Sequence, residues 1–549
     1  MVAIPAGSAP QSPSEVSVSS FQASLQSLNP TSGTSRTWVY VPYDQLSDRI
    51  GPLSQAPPQS LGIVLIESAH KPGRRPYHKQ KLAWVLSNQR HFALEQAARG
   101  VAVDYRISAQ SYAEVLTQVV EQRGTLRMME AAERELRLEL AGLVAAGHIE
   151  VLPHQGWLSS EEDFAKAGAG PFRMDAFYRH LRKKSGILMQ DGKPVGGKFS
   201  HDAENRKPWR GEPPAPTPPR FQVDAITQEV LELIQRRFSG HPGELDGTQI
   251  SASKEQAQAL WAWAKQACLT HFGPFEDAMS TRSRGLFHTR IAPLLNLHRL
   301  LPQQVVDDVL ALDIPLNSKE GFVRQVLGWR EYVRHIHRVT DGMRSLNGQP
   351  LVDPLARGEA LPAAYWMGSP SGLRCLDAEV QAVWETGWTH HIPRLMVLSN
   401  IATLLDVVPQ ELSDWFWVGF VDAYDWVVEP NVVGMGTYGV GEVMTTKPYV
   451  SGANYIHKMG DACQSCAFHP KKSCPITPMY WAFLGRHAEH FEGNHRMNIV
   501  MASLRKRSAE KKEMDQAVFA WVRATLRQGR LLEPQDQPGE HGDTSMRLF

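Results

Sequence analysis

Cysteine is scarce in this chain, with Cys268, Cys375, Cys463, Cys466 and Cys474 the only examples in 549 residues. So few thiols cannot make a disulfide framework. In a reducing compartment a Cys-x2-Cys pair points to a metal or to redox chemistry. Long apolar runs are missing as well. No stretch reaches the ~18 residues of a membrane span, and the opening MVAIPAGSAPQSPSEVSVSS lacks the basic start and apolar core of a secretory signal. The expectation is a soluble, cytoplasmic chain with no membrane partner. An excess of one charge is absent too: 58 basic residues face 57 acidic ones, for a net charge of +1. That balance argues against a generic nucleic-acid coat and leaves room for a local basic face. No internal repeat occurs, which sets aside solenoids and propellers.

What is present is enough apolar residue, 42% of the chain, for two or three cored domains. Residues 1–35, rich in Ser, Pro, Gln and Ala, read as a flexible tail outside the fold. From Thr37 short β-branched runs (TWVYVP, LGIVLIES, VAVDYRI, IEVLPHQ) alternate with helical patterns such as HKQKLAWVLSNQRHFALEQAARG and SYAEVLTQVVEQRG. Alternation of this kind predicts a parallel sheet covered by helices over residues 36–155. Such sheets bind ligands at the carboxyl ends of their strands, where Asp44, Gln45 and Glu67 fall. Residues 156–235 form an interdomain linker that includes GGKFSHDAENRKPW and the proline-rich EPPAPTPPR. Residues 236–549 carry helical spacing almost throughout and hold most of the tryptophans. The fold class is therefore α/β plus all-α.

The segment GDACQSCAFHPKKSCPITPMYW places Cys463, Cys466 and Cys474 together. Zinc and four-iron clusters both want four ligands. Cys375, Cys268 and His469 are the candidates for the fourth, and spacing alone does not separate zinc from iron–sulfur. Further polar residues fall in patterned runs. His288 and Thr289 lie where a loop enters a helix, a setting suited to an anion such as a pyrophosphate. Gln325, Arg330 and Glu331 share a helix and would be costly to bury without polar partners. GWTHHIPRLM supplies His390, His391 and Arg394, with His391 and Arg394 on one helical face. DAYDWVVEPN supplies Asp422, Asp425 and Asn431. Basic segments YRHLRKK and LRKRS offer phosphate contacts.

Taken in order, STRSRGLFHTRIAPLLNLHRLLP, EGFVRQVLGWREYVRHIH, GWTHHIPRLMVLSNIATLL and FVDAYDWVVEPNVVGMGTYGVGEVMTTKPYVSGANYI resemble the flavin-binding region of the photolyase/cryptochrome family. The cysteine segment and the linker run GGKFSHDAENRKPW are similar to its bacterial iron–sulfur branch, and the likeness extends from about Trp38 to Arg505. This resemblance implies an N-terminal antenna domain and a C-terminal FAD domain. It implies FAD, a [4Fe-4S] cluster on Cys375, Cys463, Cys466 and Cys474, and a 6,7-dimethyl-8-ribityllumazine antenna near Asp44 and Glu67. Light-driven repair of (6-4) photoproducts in damaged DNA by a monomer is the implied activity. His288, Thr289, Gln325, Arg330, His391, Arg394, Asp422 and Asn431 become flavin contacts. His390, His391 and Tyr449 become lesion-side catalytic residues, with an imidazole as proton donor. Trp415 and Trp366 become the electron relay.

Three positions depart from relatives: Leu395 stands where many (6-4) enzymes have a second histidine, Phe416 where a relay tyrosine occurs, and Val440 in place of an aspartate. The rival within the same fold is a blue-light photoreceptor without repair activity. A third reading, a zinc-bound helical DNA-binding module, requires a colourless protein.

Overall fold

The computed structural model describes residues 19–30, 35–168, 172–366 and 368–539. Five parallel strands form one sheet: β1 (Thr37–Tyr40), β2 (Leu61–Ser68), β3 (Ala102–Ser108), β4 (Leu126–Met129) and β5 (Ile149–Leu152). Their order is β3-β2-β1-β4-β5. The strand LRMM of β4 is too short and too polar for its alternation to register in the sequence. Every residue of β2 is buried, as expected for a central parallel strand covered on both faces. Gly62 is required there, because a Cβ would stand 2.6 Å from the Trp38 ring on the neighbouring strand.

The strand order reverses beside β1, and ligand crevices in such sheets open at the carboxyl ends next to that reversal. Gln45 spans the gap by donating to the carbonyls of Met129 and Glu130, at 3.4 and 3.0 Å. Helix α1 (Ser20–Leu28) falls inside the stretch expected to be a tail and is folded, while residues 1–18 and 31–34 of that stretch lie outside the described residues. Ser19 caps it through the Gln22 N–H, and Phe21 and Leu25, four apart, are buried. Apolar residues at that spacing supply a docking stripe. The stripe packs on α2 (Lys79–Ala98) and α3 (Ala225–Arg237).

Beyond residue 236 the described residues form helices joined by loops, with the two-residue strands Ser345–Leu346 and Gln349–Pro350 and a bridge between Glu359 and Val407. Three segments are wound as π-helix: Arg324–Arg330, Arg394–Ser399 and Pro430–Gly436. The last two pack on each other. π-Turns are rare and tend to mark functional sites, since the extra residue per turn redirects side chains. Cys375 is the second residue of helix α4 (Arg374–Thr386) rather than part of a loop. Among the described residues no helix is long and apolar enough to cross a membrane.

Candidate functional site

A cavity of about 320 Å³ opens between the three π-helical segments. His288, Thr289, Gln325, Arg330, His391, Arg394, Asp422 and Asn431 all line it, and so does His390. The expected separation of His390 from His391 is not observed. His390 occupies the cap position of the helix that His391 begins, so both rings turn into the same space. Leu395 and Phe416 are also in the wall.

The polar edges of the cavity are fixed by named bonds. Arg394 grips Asp422 through two parallel contacts of 2.9 and 3.0 Å, while its Nε donates to the Thr389 carbonyl at 2.7 Å. The Asp422 carbonyl accepts from Asn296 at 2.8 Å. Arg330 lies 4.2 Å over the Trp157 ring and donates to the Leu295 carbonyl at 3.2 Å. Burial pushes its guanidinium down to about 10. Asn431 donates to the Val427 carbonyl at 2.7 Å.

His288 and His390 are stacked, ring centroids 4.1 Å apart. His288 Nε2 donates to the Glu276 carbonyl at 3.1 Å, which fixes its tautomer. The Nδ1 of His390 is buried without a hydrogen-bond partner. Burial lowers the His390 pKa, and His288, His391 and Arg394 lower it further. The buried His390 is the ring held toward its neutral form, whereas the His391 side chain is exposed.

Glu276 was not legible as a site residue. It receives Gln325 at 2.6 Å and, from the linker, Asn205 at 2.8 Å, and burial pushes its carboxyl up to about 7. Arg290 also lines the cavity, and only its place beside Thr289 hinted at that. Tyr449 is not in the wall: it is half-buried, its phenol raised by burial and then by Asp202.

Trp415 is fully buried behind the cavity wall, its ring 5.2 Å from Phe416 and 5.9 Å from Phe420. Trp384 follows at 6.0 Å, and Trp366 lies 5.9 Å beyond it with 44% of its surface exposed. The indoles of Trp384 and Trp415 both donate to the Tyr365 carbonyl at 2.8 Å. Trp384 thus joins the two tryptophans picked out in the sequence.

A second, much smaller cavity of about 80 Å³ lies at the carboxyl end of the sheet. Glu67 lines it, held by Arg90 at 2.9 and 3.0 Å and by the Tyr105 hydroxyl at 2.9 Å. Asp44 is not in its wall; it is buried nearby with Oδ1 unpartnered, and burial pushes its carboxyl up to about 7 against the pull of Lys71. Lys71, Lys81, Tyr43, Tyr112 and Glu133 complete the polar and aromatic lining. Lys81 donates to the carbonyls of Trp417 and Ala423 at 2.7 and 2.6 Å, and Ala423 borders both cavities.

Cys375, Cys463, Cys466 and Cys474 converge where α4 packs on the short helix Ala462–Ser465. Burial raises the Cys375 pKa and the other three thiols raise it further. Cys268 stands apart, its thiol directed at the His288 carbonyl. Among the described residues no group of three or more His, Cys, Asp or Glu is arranged to hold a metal ion. In YRHLRKK, Arg182 is fully buried and donates to the carbonyls of Ile187, Leu188 and Phe199, so it is structural and unavailable to phosphate.

Comparison with known proteins decides the class. The chain is 33% identical over 479 residues to a (6-4) photolyase of Agrobacterium fabrum, covering 83% of this chain and 92% of that one. The chain belongs to the photolyase/cryptochrome family. Residues 39–250 match the deoxyribodipyrimidine photo-lyase-related protein family and residues 322–458 the FAD-binding domain of DNA photolyase. The crystal structure of a bacterial class III photolyase from Agrobacterium tumefaciens shares the fold, with a TM-score of 0.50 at 13% identity over 90% of this chain and 99% of that one. An uncharacterized protein of Acanthamoeba polyphaga mimivirus is 25% identical over 115 residues, 21% of this chain and 90% of its own. The 320 Å³ cavity lies largely within the family's FAD-binding domain.

Proposed function

We propose that the chain is a photolyase that repairs (6-4) pyrimidine photoproducts in DNA under blue light. The observation that carries this reading is the convergence of His390 and His391 with Arg394, Asp422 and Asn431 on one cavity of the FAD-binding domain. Kinship to a (6-4) photolyase along most of the chain supports the choice of lesion. Bound FAD supplies a light-excitable electron donor.

The cavity suits that group: Trp329, Phe416 and Phe420 offer flat apolar walls, and the Arg394–Asp422 pair presents fixed charges at an edge. Arg394 and Asp422 hold each other in one geometry and so orient what lies against them. His390 is held toward its neutral form in the free protein by burial and then by His288, His391 and Arg394, which oppose its protonation. An incoming anionic strand relieves that opposition, so the imidazole gains and passes a proton at the lesion when DNA is in place. The Trp366–Trp384–Trp415 line offers an electron route from the surface to the cavity wall.

Cys375, Cys463, Cys466 and Cys474 would hold a [4Fe-4S] cluster, tying α4 to the C-terminal segment. The other three thiols stand close enough to add to the rise that burial brings to the Cys375 pKa, which supports one shared group on the four, and the likeness to the iron–sulfur branch favours a cluster over zinc. The small outer cavity, with Tyr43, Tyr112 and Glu133 in its wall, would take a planar heterocycle with polar edges, such as the lumazine.

The test is a blue-light assay on two oligonucleotides, one carrying a (6-4) lesion and one a cyclobutane dimer. Restoration of the (6-4) lesion alone is expected. Inactivity on both, in protein whose flavin photoreduces, would move the chain to the photoreceptors.

A further inference from the structure

The helix Asn498–Arg505 packs on the helix Ile476–Arg486, and Met497, Met501 and Leu504 are buried beneath it. A spacing of four and three is that of a docking stripe, so the opposite face should be polar. It is polar except at one position. Ile499 lies opposite the stripe with 85% of its surface exposed, more than any other large apolar side chain among the described residues. A single exposed apolar residue needs no explanation by itself. The surroundings of Ile499 give it one.

The stretch NHRMNIVMASLRKRSA, residues 494–509, holds no acidic residue. Arg507 is turned inward onto Asp515 at 2.7 Å, whereas Arg496, Arg505 and Lys506 are exposed and, among the described residues, unpaired with any carboxylate. Asn494 donates to Glu442 Oε1 and to the Thr446 carbonyl, both at 2.8 Å, and so pins the start of the stretch to the loop that leads to Tyr449. Burial and then Asp202 raise the Tyr449 phenol, and Arg496 and Arg206 pull it back, which gathers these charges around one ring. Asp202 and Arg206 belong to the linker run whose Asn205 is bound to Glu276 in the wall of the 320 Å³ cavity. The basic stretch thus stands on the Glu276 side of that cavity.

A duplex from which a damaged dinucleotide has been drawn out loses stacking at the vacated step. Proteins that hold such a step open insert an apolar side chain between the bases and grip the phosphates with cations. Isoleucine is well suited to this. Branched at Cβ, it has little rotamer freedom left to lose, and its apolar surface leaves water on insertion. A polar side chain in the same place would have to shed its water between the bases.

We propose that Ile499 is the wedge that fills the vacated step of the damaged duplex, with Arg496, Arg505 and Lys506 on the flanking phosphates. This assignment rests on the photolyase reading, in which the lesion leaves the stack for the flavin cavity. Ile499 touches the bases that border the gap and takes no part in the photochemistry. A single strand carrying the same lesion offers it no gap.

The test is binding in the dark of the flavin-loaded full chain to three fluorescent oligonucleotides: a duplex with one (6-4) lesion, the damaged strand alone, and the undamaged duplex. Anisotropy is read at two salt concentrations. Wild-type protein is expected to prefer the damaged duplex to the undamaged one. Ile499→Ala is expected to lose about 10- to 100-fold in affinity for the damaged duplex, less than about twofold for the damaged single strand, and none of the salt dependence. Ile499→Leu, equally apolar, should keep most of the affinity. Arg496→Gln should weaken binding to all three and lower the slope of log affinity against log salt by about 1. Wild-type affinity of Ile499→Ala for the damaged duplex, or an equal loss on duplex and single strand, would overturn the wedge and leave the photolyase reading standing. A wild-type chain that binds the damaged and undamaged duplexes alike would overturn both.

Discussion

His390 is 3% exposed, in contact with His288, and has an unpartnered Nδ1. A general acid of this kind contributes on the order of 10²–10⁴ in rate. His390→Ala is therefore expected to cut light-driven repair at least about 100-fold at unchanged FAD occupancy, read by lesion restoration and by the flavin spectrum of the same sample. Asp44 permits a test of stability. Its folded pKa of about 7 lies above that of an exposed carboxylate, so the folded state binds the proton more tightly between about pH 4 and 7. Its contribution is present in full below that window and is lost as pH rises through 7. Asp44→Asn should thus gain stability over wild type across the window, by at most about 4 kcal/mol, and level off above it. Denaturant melts at a series of pH values would show a constant difference if the carboxyl were already ionised in the folded state. The histidines and polar residues that line the cavity were legible because they fall in patterned runs. Glu276 and Arg290 were not, since their place in the cavity wall is a property of packing alone.

At the scale of elements, the alternating strands and helices betrayed the parallel sheet, yet the π-winding of three cavity segments left no periodic mark. Hydrophobic spacing drifts too little over seven residues to separate 3.6 from a wider turn. Gly436 tests the importance of that winding. A Cβ there would meet Ser399 Oγ at 2.9 Å and the Asn431 carbonyl at 3.2 Å, forcing two π-segments apart. Gly436→Ala should cost about 1–3 kcal/mol and lower FAD occupancy, measured by thermal melting and by flavin-to-protein ratio. The tryptophan line joins separate elements in the same way. Trp384→Phe should slow photoreduction of the flavin under steady blue light severalfold. Unchanged bleaching would send the electron by another path.

For the whole molecule, the proposed cluster would connect α4 to the C-terminal segment across almost a hundred residues of intervening chain, from Cys375 to Cys474. Cys375→Ser should abolish brown absorbance, lower iron per chain, and remove about 4 kcal/mol of metal-linked stability. Metal analysis and melting of the same preparation check both. Cys375 was named as the partner of the three clustered cysteines through family likeness, because no spacing rule spans that separation.

The two cavities share Ala423 in their walls, and its carbonyl is held by Lys81 at 2.6 Å. A pigment in the outer cavity and another in the inner one would face each other across a fixed partition. Excitation hops between pigments with a steep dependence on their separation and tilt, so the light the protein can exploit would depend in part on how firmly one lysine of α2 keeps that wall from moving.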